Sequence, residues 1–119
     1  MKHLSFKASL IIASVISLLA SQVFAADINN GRALVEKSAC ISCHGADLKS
    51  PIAPAYPKIA GQHQDYLYYA LKSYQGSNSP YVGRSNAIMG AQAKAFTLSE
   101  LKDIAAYVSS LPGDLVIKK

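Results

Sequence analysis

Cys40 and Cys43 are the only cysteines of the chain, and two residues separate them in the segment CISCHG at 40–45. A cross-link between cysteines this close would close a very short loop and add little stability. A chain of 119 residues fits one domain, and a domain of this size buries a limited hydrophobic core. We therefore expect a further component, such as a large apolar ligand, to complete the core.

Three chemistries use a C-x-x-C spacing, and the rest of the sequence discriminates between them. A thioredoxin-like redox disulfide accompanies a βαβ pattern, and no segment shows the alternation of a strand. A structural zinc site needs four ligands, and His63 lacks the spacing of a ligand pair. His44 follows Cys43 directly, and C-x-x-C-H is the attachment signature of c-type haem. We predict one haem c, bound covalently through Cys40 and Cys43, with His44 on the iron.

The second iron ligand decides what such a haem can do. Met89, in the segment SNAIMGAQ, is the one methionine left if Met1 is removed with the N-terminal segment. We predict that Met89 lies in a loop before the last helix and binds the iron opposite His44. Other interpretations stay open: Met89 fills a gap in the core, a common use of its flexible side chain, His63 is the ligand, or the site is vacant.

The N-terminal residues have the order of a secretory signal peptide. A positively charged start, MKHLSFK, is followed by an apolar run, ASLIIASVISLLA, and by SQVFA, which carries small or apolar residues where signal peptidase reads. An uncleaved membrane anchor is the alternative, but the run is shorter than the roughly 20 residues of a spanning helix. We predict a cleaved signal peptide at 1–25 and an exported, periplasmic domain at 26–119, with no stable membrane insertion after cleavage.

The charge of the mature domain argues against nucleic-acid binding. It carries ten Lys and Arg against seven Asp and Glu, a mild surplus without a basic run or a recognition motif. An acidic protein partner is the more plausible use of this charge. The candidate steering lysines are Lys49, Lys58, Lys72 and Lys94, although an ordinary solvated surface explains them as well.

Helical patterns cover much of the mature domain. Asp27 is placed to cap a helix through 28–39 that runs into the cysteines, and a second helix is predicted over 62–75. The segment TLSE is a capping box that opens a third helix, which PG ends. Three prolines in LKSPIAPAYPKIAG, and the segment GSNSPYVGRSNAIMG, predict two long loops. The sequence thus predicts an all-α domain with three main helices.

Four segments in this order, CISCHG, PIAPAYPKIAGQ, NAIMG and TLSELKDIAAYVSSL, resemble the class I c-type cytochromes. The similarity is strongest to small bacterial monohaem members of the cytochrome c-553 and cytochrome c4 type, and it covers nearly the whole mature domain. It implies the class I cytochrome c fold, in which three main helices and long loops wrap around one covalently bound haem. It also implies that the first and last helices cross beside the haem, at Gly31 and Tyr107.

The resemblance adds four residues to the predicted cofactor site: Pro54, Tyr56, Ile59 and Asn86. It implies that the Pro54 carbonyl accepts a hydrogen bond from His44 Nδ1, the contact expected of a metal-bound histidine. Tyr56 and Ile59 are expected to pack against the haem, with plain core packing as the alternative for each. Asn86 is expected to orient the Met89 sulfur, and an ordinary turn asparagine is the alternative.

A haem with both axial positions filled by protein has no vacant site for a substrate, and a thioether ligand and apolar burial raise its reduction potential. The sequence therefore predicts a periplasmic electron carrier rather than an enzyme, with redox proteins as partners. The alternative is the electron-accepting cytochrome subunit of a periplasmic dehydrogenase or oxidase complex. A peroxidase-like haem protein with a labile Met89 belongs to the same enzyme alternative, and a ligand-binding or gas-sensing haem module is the third hypothesis.

Overall fold

The computed structural model describes residues 25–76 and 83–114, so the predicted signal peptide lies, up to residue 24, outside the described residues. This part of the chain contains no strand, and the all-α prediction is confirmed. None of its helices is long and apolar enough to cross a membrane. The helices are α1 Ile28–Lys37, α2 Cys40–His44, α3 Gln64–Gln75, α4 Ala87–Lys94 and α5 Leu98–Ser110. The three longest, α1, α3 and α5, are the three that the sequence predicts.

α1 begins where the sequence predicts but ends earlier. The Asp27 carboxylate accepts hydrogen bonds from two backbone N–H groups of the first turn, at 2.9 and 3.1 Å, as expected of an N-cap. The sequence predicts a helix through residue 39, whereas α1 ends at Lys37. Ser38 is extended there, and its hydroxyl donates back to the Val35 carbonyl at 3.2 Å. This break lets the cysteines start a separate short helix, α2.

α1 and α5 cross at Gly31, which is buried and has no side chain to keep the two helices apart. A Cβ atom at this position would overlap the backbone carbonyl of Asp103 and lie 3.0 Å from the Ile104 nitrogen. The predicted close approach at Gly31 is therefore present. Its immediate neighbour is the α5 backbone at Asp103, whereas Tyr107, one turn further along, packs against the core.

A buried carboxylate fixes the register of that crossing. Asp103 on α5 is 8% exposed and accepts hydrogen bonds from Asp27 N and from Asn30 Nδ2, both at 2.8 Å. Because a buried charge is tolerated only when it is hydrogen-bonded, these two donors from the start of α1 stabilise Asp103. The contact joins the first described residues of the domain to its last helix.

The hydrophobic core lies along the inner face of α5. The residues of this helix that belong to the core recur three and four positions apart, as the sequence predicts, and they pack against α1, α3 and the turn after α2. The core residues from α5 are Leu101, Ile104, Ala105 and Val108, and those facing them are Val35, Leu48, Ala60 and Leu67. The capping box is confirmed as well, since Thr97 and Glu100 each accept a hydrogen bond from the backbone N–H of the other.

Replacing Gly31 with alanine is expected to lower the free energy of unfolding by about 1–2 kcal/mol. The new methyl group would overlap backbone that cannot move aside, and overpacking of this kind typically costs about 1–3 kcal/mol, against a helix-propensity gain of up to about 1 kcal/mol. Urea unfolding followed by circular dichroism measures the difference. Lys37→Ala, on the exposed side of α1, is the control and should stay within about 0.5 kcal/mol of the parent. Equal stability of both variants would contradict the close crossing.

Candidate functional site

A cavity of about 700 Å³ lies between α2, the proline-rich loop, α3, α4 and α5. This volume falls within the range of roughly 300–1,000 Å³ that is usual for ligand sites, and most of its lining is apolar or aromatic, as in such sites. The cavity brings together seven of the eight residues that the sequence assigns to the cofactor. They are Cys40, Cys43, His44, Tyr56, Ile59, Asn86 and Met89.

One wall of the cavity is formed by α2, which carries the C-x-x-C-H motif. Cys40, Cys43 and His44 all line this wall, because residues three and four positions apart in a helix share a face. His44 is 5% exposed. The helix ends at Gly45, whose φ of 89° is a conformation that favours glycine.

The His44 ring is fixed by the proline-rich loop, but not by the proline that the sequence analysis names. His44 Nδ1 lies 2.7 Å from the Pro57 carbonyl oxygen. Since a carbonyl can only accept, Nδ1 must carry the proton and donate it, which leaves Nε2 available to bind a metal. The expectation that the Pro54 carbonyl accepts this bond is wrong.

Pro54 has a different place in the loop. Tyr56 N donates to the Ala53 carbonyl at 3.0 Å, so residues 53–56 form a turn with Pro54 at its second position, where proline is favoured. Pro54 is exposed and is not part of the cavity wall. The turn reverses the chain around Pro54 and carries Pro57, three residues further on, to His44.

Tyr56 and Ile59 line the cavity on the same side as His44. The Tyr56 ring meets the His44 ring edge-on, with centroids 6.4 Å apart and an interplanar angle of 77°. Ile59 also packs against the hydrophobic core, and its N–H donates to the Leu48 carbonyl at 2.8 Å. Ile59 therefore both packs in the core and lines the cavity.

A tight turn after α2 supports the floor of the cavity, and the sequence analysis did not identify it. Leu48 has a φ of 57°, which is unusual for a residue other than glycine, yet its side chain is buried at 1% exposure and lines the cavity. The Asp47 carboxylate accepts hydrogen bonds from Lys49 N at 3.0 Å and from Ser50 N and Oγ, both at 2.8 Å. These bonds, that from Lys49 N first, lower the pKa of Asp47.

A second part of the lining comes from α4, which carries Met89. The prediction that Met89 lies in a loop is wrong, because Ala87–Lys94 is helical. Asn86 is the N-cap of this helix, and its Oδ1 accepts a hydrogen bond from Met89 N at 2.9 Å. In the structure Asn86 thus contacts the Met89 backbone. His63, the rival ligand, is exposed at the N-cap position of α3 and does not line the cavity.

Three further lining residues, which the sequence analysis did not assign to the site, form an aromatic and cationic group beside α4. The Arg84 guanidinium carbon lies 5.5 Å from the centre of the Tyr66 ring and 5.7 Å from that of the Tyr74 ring. The two tyrosines come from α3, eight residues apart. An arginine so far along the chain from them gives no local sequence signal for this contact.

The candidate steering lysines have different surroundings. Lys58 lines the cavity, and its Nζ lies 2.8 Å from the Asp114 carboxylate, which also lies 3.9 Å from Lys49 Nζ. The hydrogen bond with Asp114 raises the pKa of Lys58, and the same bond lowers the pKa of Asp114. All three groups are exposed, and pairs of this kind contribute little to stability. Lys72 and Lys94 lie in the last turns of α3 and α4.

Comparison with known proteins gives a consistent set of relatives. A family model described as cytochrome c matches residues 28–112. Cytochrome c-553 of Nitratidesulfovibrio vulgaris is 33% identical over 105 residues, which cover 88% of this chain and 99% of that protein. A protein of Thiomonas intermedia named thiosulfate dehydrogenase electron acceptor is 30% identical over 96 residues, covering 81% of this chain and 42% of that protein.

The solved structures include cytochrome c4 from Pseudomonas stutzeri in its reduced form, with a TM-score of 0.67 and 34% sequence identity. The similarity covers 76% of this chain and 48% of that one. The chain also spans 33% and 38% of the length of two further relatives, a cytochrome c-552 and a cytochrome c4. It therefore corresponds to one part of these longer proteins and to nearly the whole of cytochrome c-553.

Removing the cap at Asn86 is expected to loosen the helix that carries Met89. Asn86→Ala should lower the free energy of unfolding by about 1 kcal/mol, as is typical for an N-cap. Asn86→Asp keeps a side-chain oxygen for Met89 N and should retain most of the stability. Urea unfolding of the two variants measures the effect. If aspartate were as destabilising as alanine, capping would not be the role of Asn86.

Acidification is expected to remove the contribution of Asp47. Because folding lowers its pKa, the stabilisation is complete above the ordinary carboxyl pKa of about 3.9 and is lost as pH falls through the lower pKa of the folded state. Unfolding of the parent and of Asp47→Asn at a series of pH values between 7 and 2 tests this. The difference between them should shrink at the acidic end; a constant difference would contradict it.

Proposed function

The chain belongs to the cytochrome c family, and on that premise we propose that it is a periplasmic electron carrier whose haem exchanges one electron at a time with protein partners. The observation that carries the proposal is that Cys40, Cys43 and His44 of one helix and Met89 of another line the same cavity. In this proposal the two cysteines supply the covalent anchor, and His44 and Met89 supply the iron ligands.

Haem c is attached covalently through Cys40 and Cys43, as in a cytochrome c domain. The residues present fit this cofactor: the motif cysteines and His44 share one wall, and the remaining lining is mainly apolar. When bound, the haem supplies an iron that cycles between iron(III) and iron(II). The large apolar group also accounts for the small hydrophobic core of the chain, because it adds apolar surface that the side chains can bury.

The axial ligands in this proposal are His44 and Met89. The Pro57 carbonyl accepts a hydrogen bond from His44 Nδ1, so Nε2 would be the nitrogen that binds the iron, and the carbonyl would raise the basicity of the ring. Met89 provides a thioether from α4, which favours iron(II). Since the chain would fill both axial positions, no position remains for a substrate, and electron transfer rather than catalysis is the expected activity.

The location in the periplasm follows from the predicted signal peptide. Maturation at residue 25 would keep Asp27, the cap of α1, in the mature domain. Expression of the full chain in a bacterium, fractionation and mass determination of the haem-containing product test this. The expected product is periplasmic and begins near Ala26. A membrane-bound product that keeps its first residues would contradict the cleavage.

A second candidate function is electron acceptor of a periplasmic dehydrogenase. It is favoured by the relative named thiosulfate dehydrogenase electron acceptor, which aligns with 81% of this chain. Affinity capture of the tagged protein from periplasm, in oxidised and in reduced form, separates the two candidates. A free carrier is expected to retain no stoichiometric partner, whereas an enzyme-bound acceptor would bring down a dehydrogenase in fixed proportion.

Met89→Ala is expected to abolish the weak near-infrared sulfur-to-iron absorption band of the oxidised protein and to lower the reduction potential. Loss of the thioether removes a preference for iron(II), and the drop should be on the order of 0.1 V or more within the roughly 0.8 V that axial ligands span. The matched control is Ile88→Ala, which changes the neighbouring cavity residue and should keep the band. An unchanged spectrum in Met89→Ala would refute the ligand assignment.

A further inference from the structure

The segment that leads into α4 is held against α3 by one arginine. Arg84 N donates to the Ser73 carbonyl at 3.2 Å, and Arg84 Nη2 donates to the Tyr66 hydroxyl at 3.0 Å. The guanidinium also lies within 6 Å of the centres of two rings, Tyr66 and Tyr74. Both distances meet the usual criterion for a cation–π interaction.

The chemistry of this contact requires arginine rather than any cation. The guanidinium is planar and always charged, so it can interact with aromatic faces while its N–H groups donate in fixed directions. The hydroxyl of Tyr66, followed by that of Tyr74, raises the pKa of Arg84 still further. A lysine at this position would keep the charge but not the planar fork.

Among the described residues, α4 packs against α3 and is buried mainly at its C-terminal end. Its one buried residue is Ala93, near its C-terminal end, where Gln75 Nε2 donates to the Ala93 and Phe96 carbonyls at 2.8 and 2.6 Å. At its other end, residues 84–86 are exposed and form neither helix nor strand. An element with so little burial belongs to the part of a protein that opens most readily.

We infer that Arg84 is a positioning residue for Met89: by clamping the start of α4 to the tyrosine pair of α3, it keeps the thioether in the cavity. Arg84 lies five residues before Met89 and two before Asn86, which caps the first turn of α4. Release of the clamp would free the N-terminal end of α4 while Gln75 still holds its C-terminal end. The inference rests on the proposed ligation of the iron by Met89.

The affinity of the oxidised holoprotein for imidazole measures how strongly Arg84 holds Met89 in place. Imidazole takes the position of Met89 on the iron, so its apparent affinity rises with the fraction of molecules in which Met89 has left that position. Arg84→Ala is expected to raise the affinity about tenfold, because it removes two cation–π contacts and a charge-assisted hydrogen bond at a largely exposed site. Loss of the sulfur-to-iron band during the titration reports the displacement itself.

Three further variants define what Arg84 contributes. Arg84→Lys keeps the charge and should still raise the affinity several-fold, since the planar group is lost. Tyr66→Phe keeps the ring and loses the hydroxyl, so its increase should be smaller than that of Arg84→Ala. Arg84→Gln replaces the alanine variant if that protein does not accumulate, with the same expected direction.

Two controls separate the clamp from charge and from global stability. Lys94→Ala removes a cation from the same helix and should leave the imidazole affinity unchanged. Asp103→Asn weakens the distant α1–α5 contact and should lower the urea midpoint without changing the imidazole affinity. A readout that followed global stability would respond to Asp103→Asn as strongly as to Arg84→Ala.

The outcomes distinguish this inference from the function on which it rests. If the parent protein lacks the sulfur-to-iron band, the proposed Met89 ligation fails. If the band is present and imidazole binds Arg84→Ala with the affinity of the parent, Met89 ligation stands and the clamp is wrong. An Arg84→Lys variant equal to the parent would likewise overturn the clamp, because charge alone would then account for the effect.

Discussion

The hydrogen bond from His44 Nδ1 to the Pro57 carbonyl connects the two parts of the chain on which the site depends. α2 brings the cysteines and the imidazole to the cavity, but a short helix at the end of α1 cannot orient a histidine ring by itself. The loop after it fixes the ring from outside. The geometry of residues 53–57 therefore determines which nitrogen of His44 faces the cavity, and with it the chemistry that the motif can perform.

The two parts of the cavity lining, around His44 and around Met89, differ in how much buried structure supports them. The part of the lining that contains His44 is supported by the buried crossing of α1 and α5 at Gly31 and by the turn that inserts Leu48 into the core. The part that contains Met89 belongs to a helix whose one buried residue is Ala93 and whose start is held by the exposed Arg84. If Met89 binds the iron, as we propose, this asymmetry places any ligand exchange on the methionine side.

Local patterns in the sequence predicted much of the fold. The Asp27 cap, the capping box at Thr97 and the three long helices follow from side chains within a few positions of one another, where helix physics acts. α4 was missed because AIMGAQAK contains a glycine and has no clear apolar stripe. Asn86 was the available signal, as an N-cap three residues before the methionine. The early end of α1 depends on a single serine.

The site was predictable where the motif itself defines it. Cys40, Cys43 and His44 come from one contiguous segment. Met89 was selected because the mature domain offers very few residues that can bind iron. The carbonyl partner of His44 was assigned to Pro54 instead of Pro57, because the turn that selects between them is a property of the folded loop. Arg84 and its tyrosines were not foreseen, since their contact joins residues far apart in the chain, and nothing local indicates it.

We propose that one haem iron is held between His44 and Met89. Iron K-edge X-ray absorption of the oxidised parent protein tests this ligation without any substitution. We expect an iron shell that contains one sulfur together with the nitrogens of the porphyrin and of one imidazole. A shell without sulfur, made only of nitrogen or oxygen donors, would contradict it.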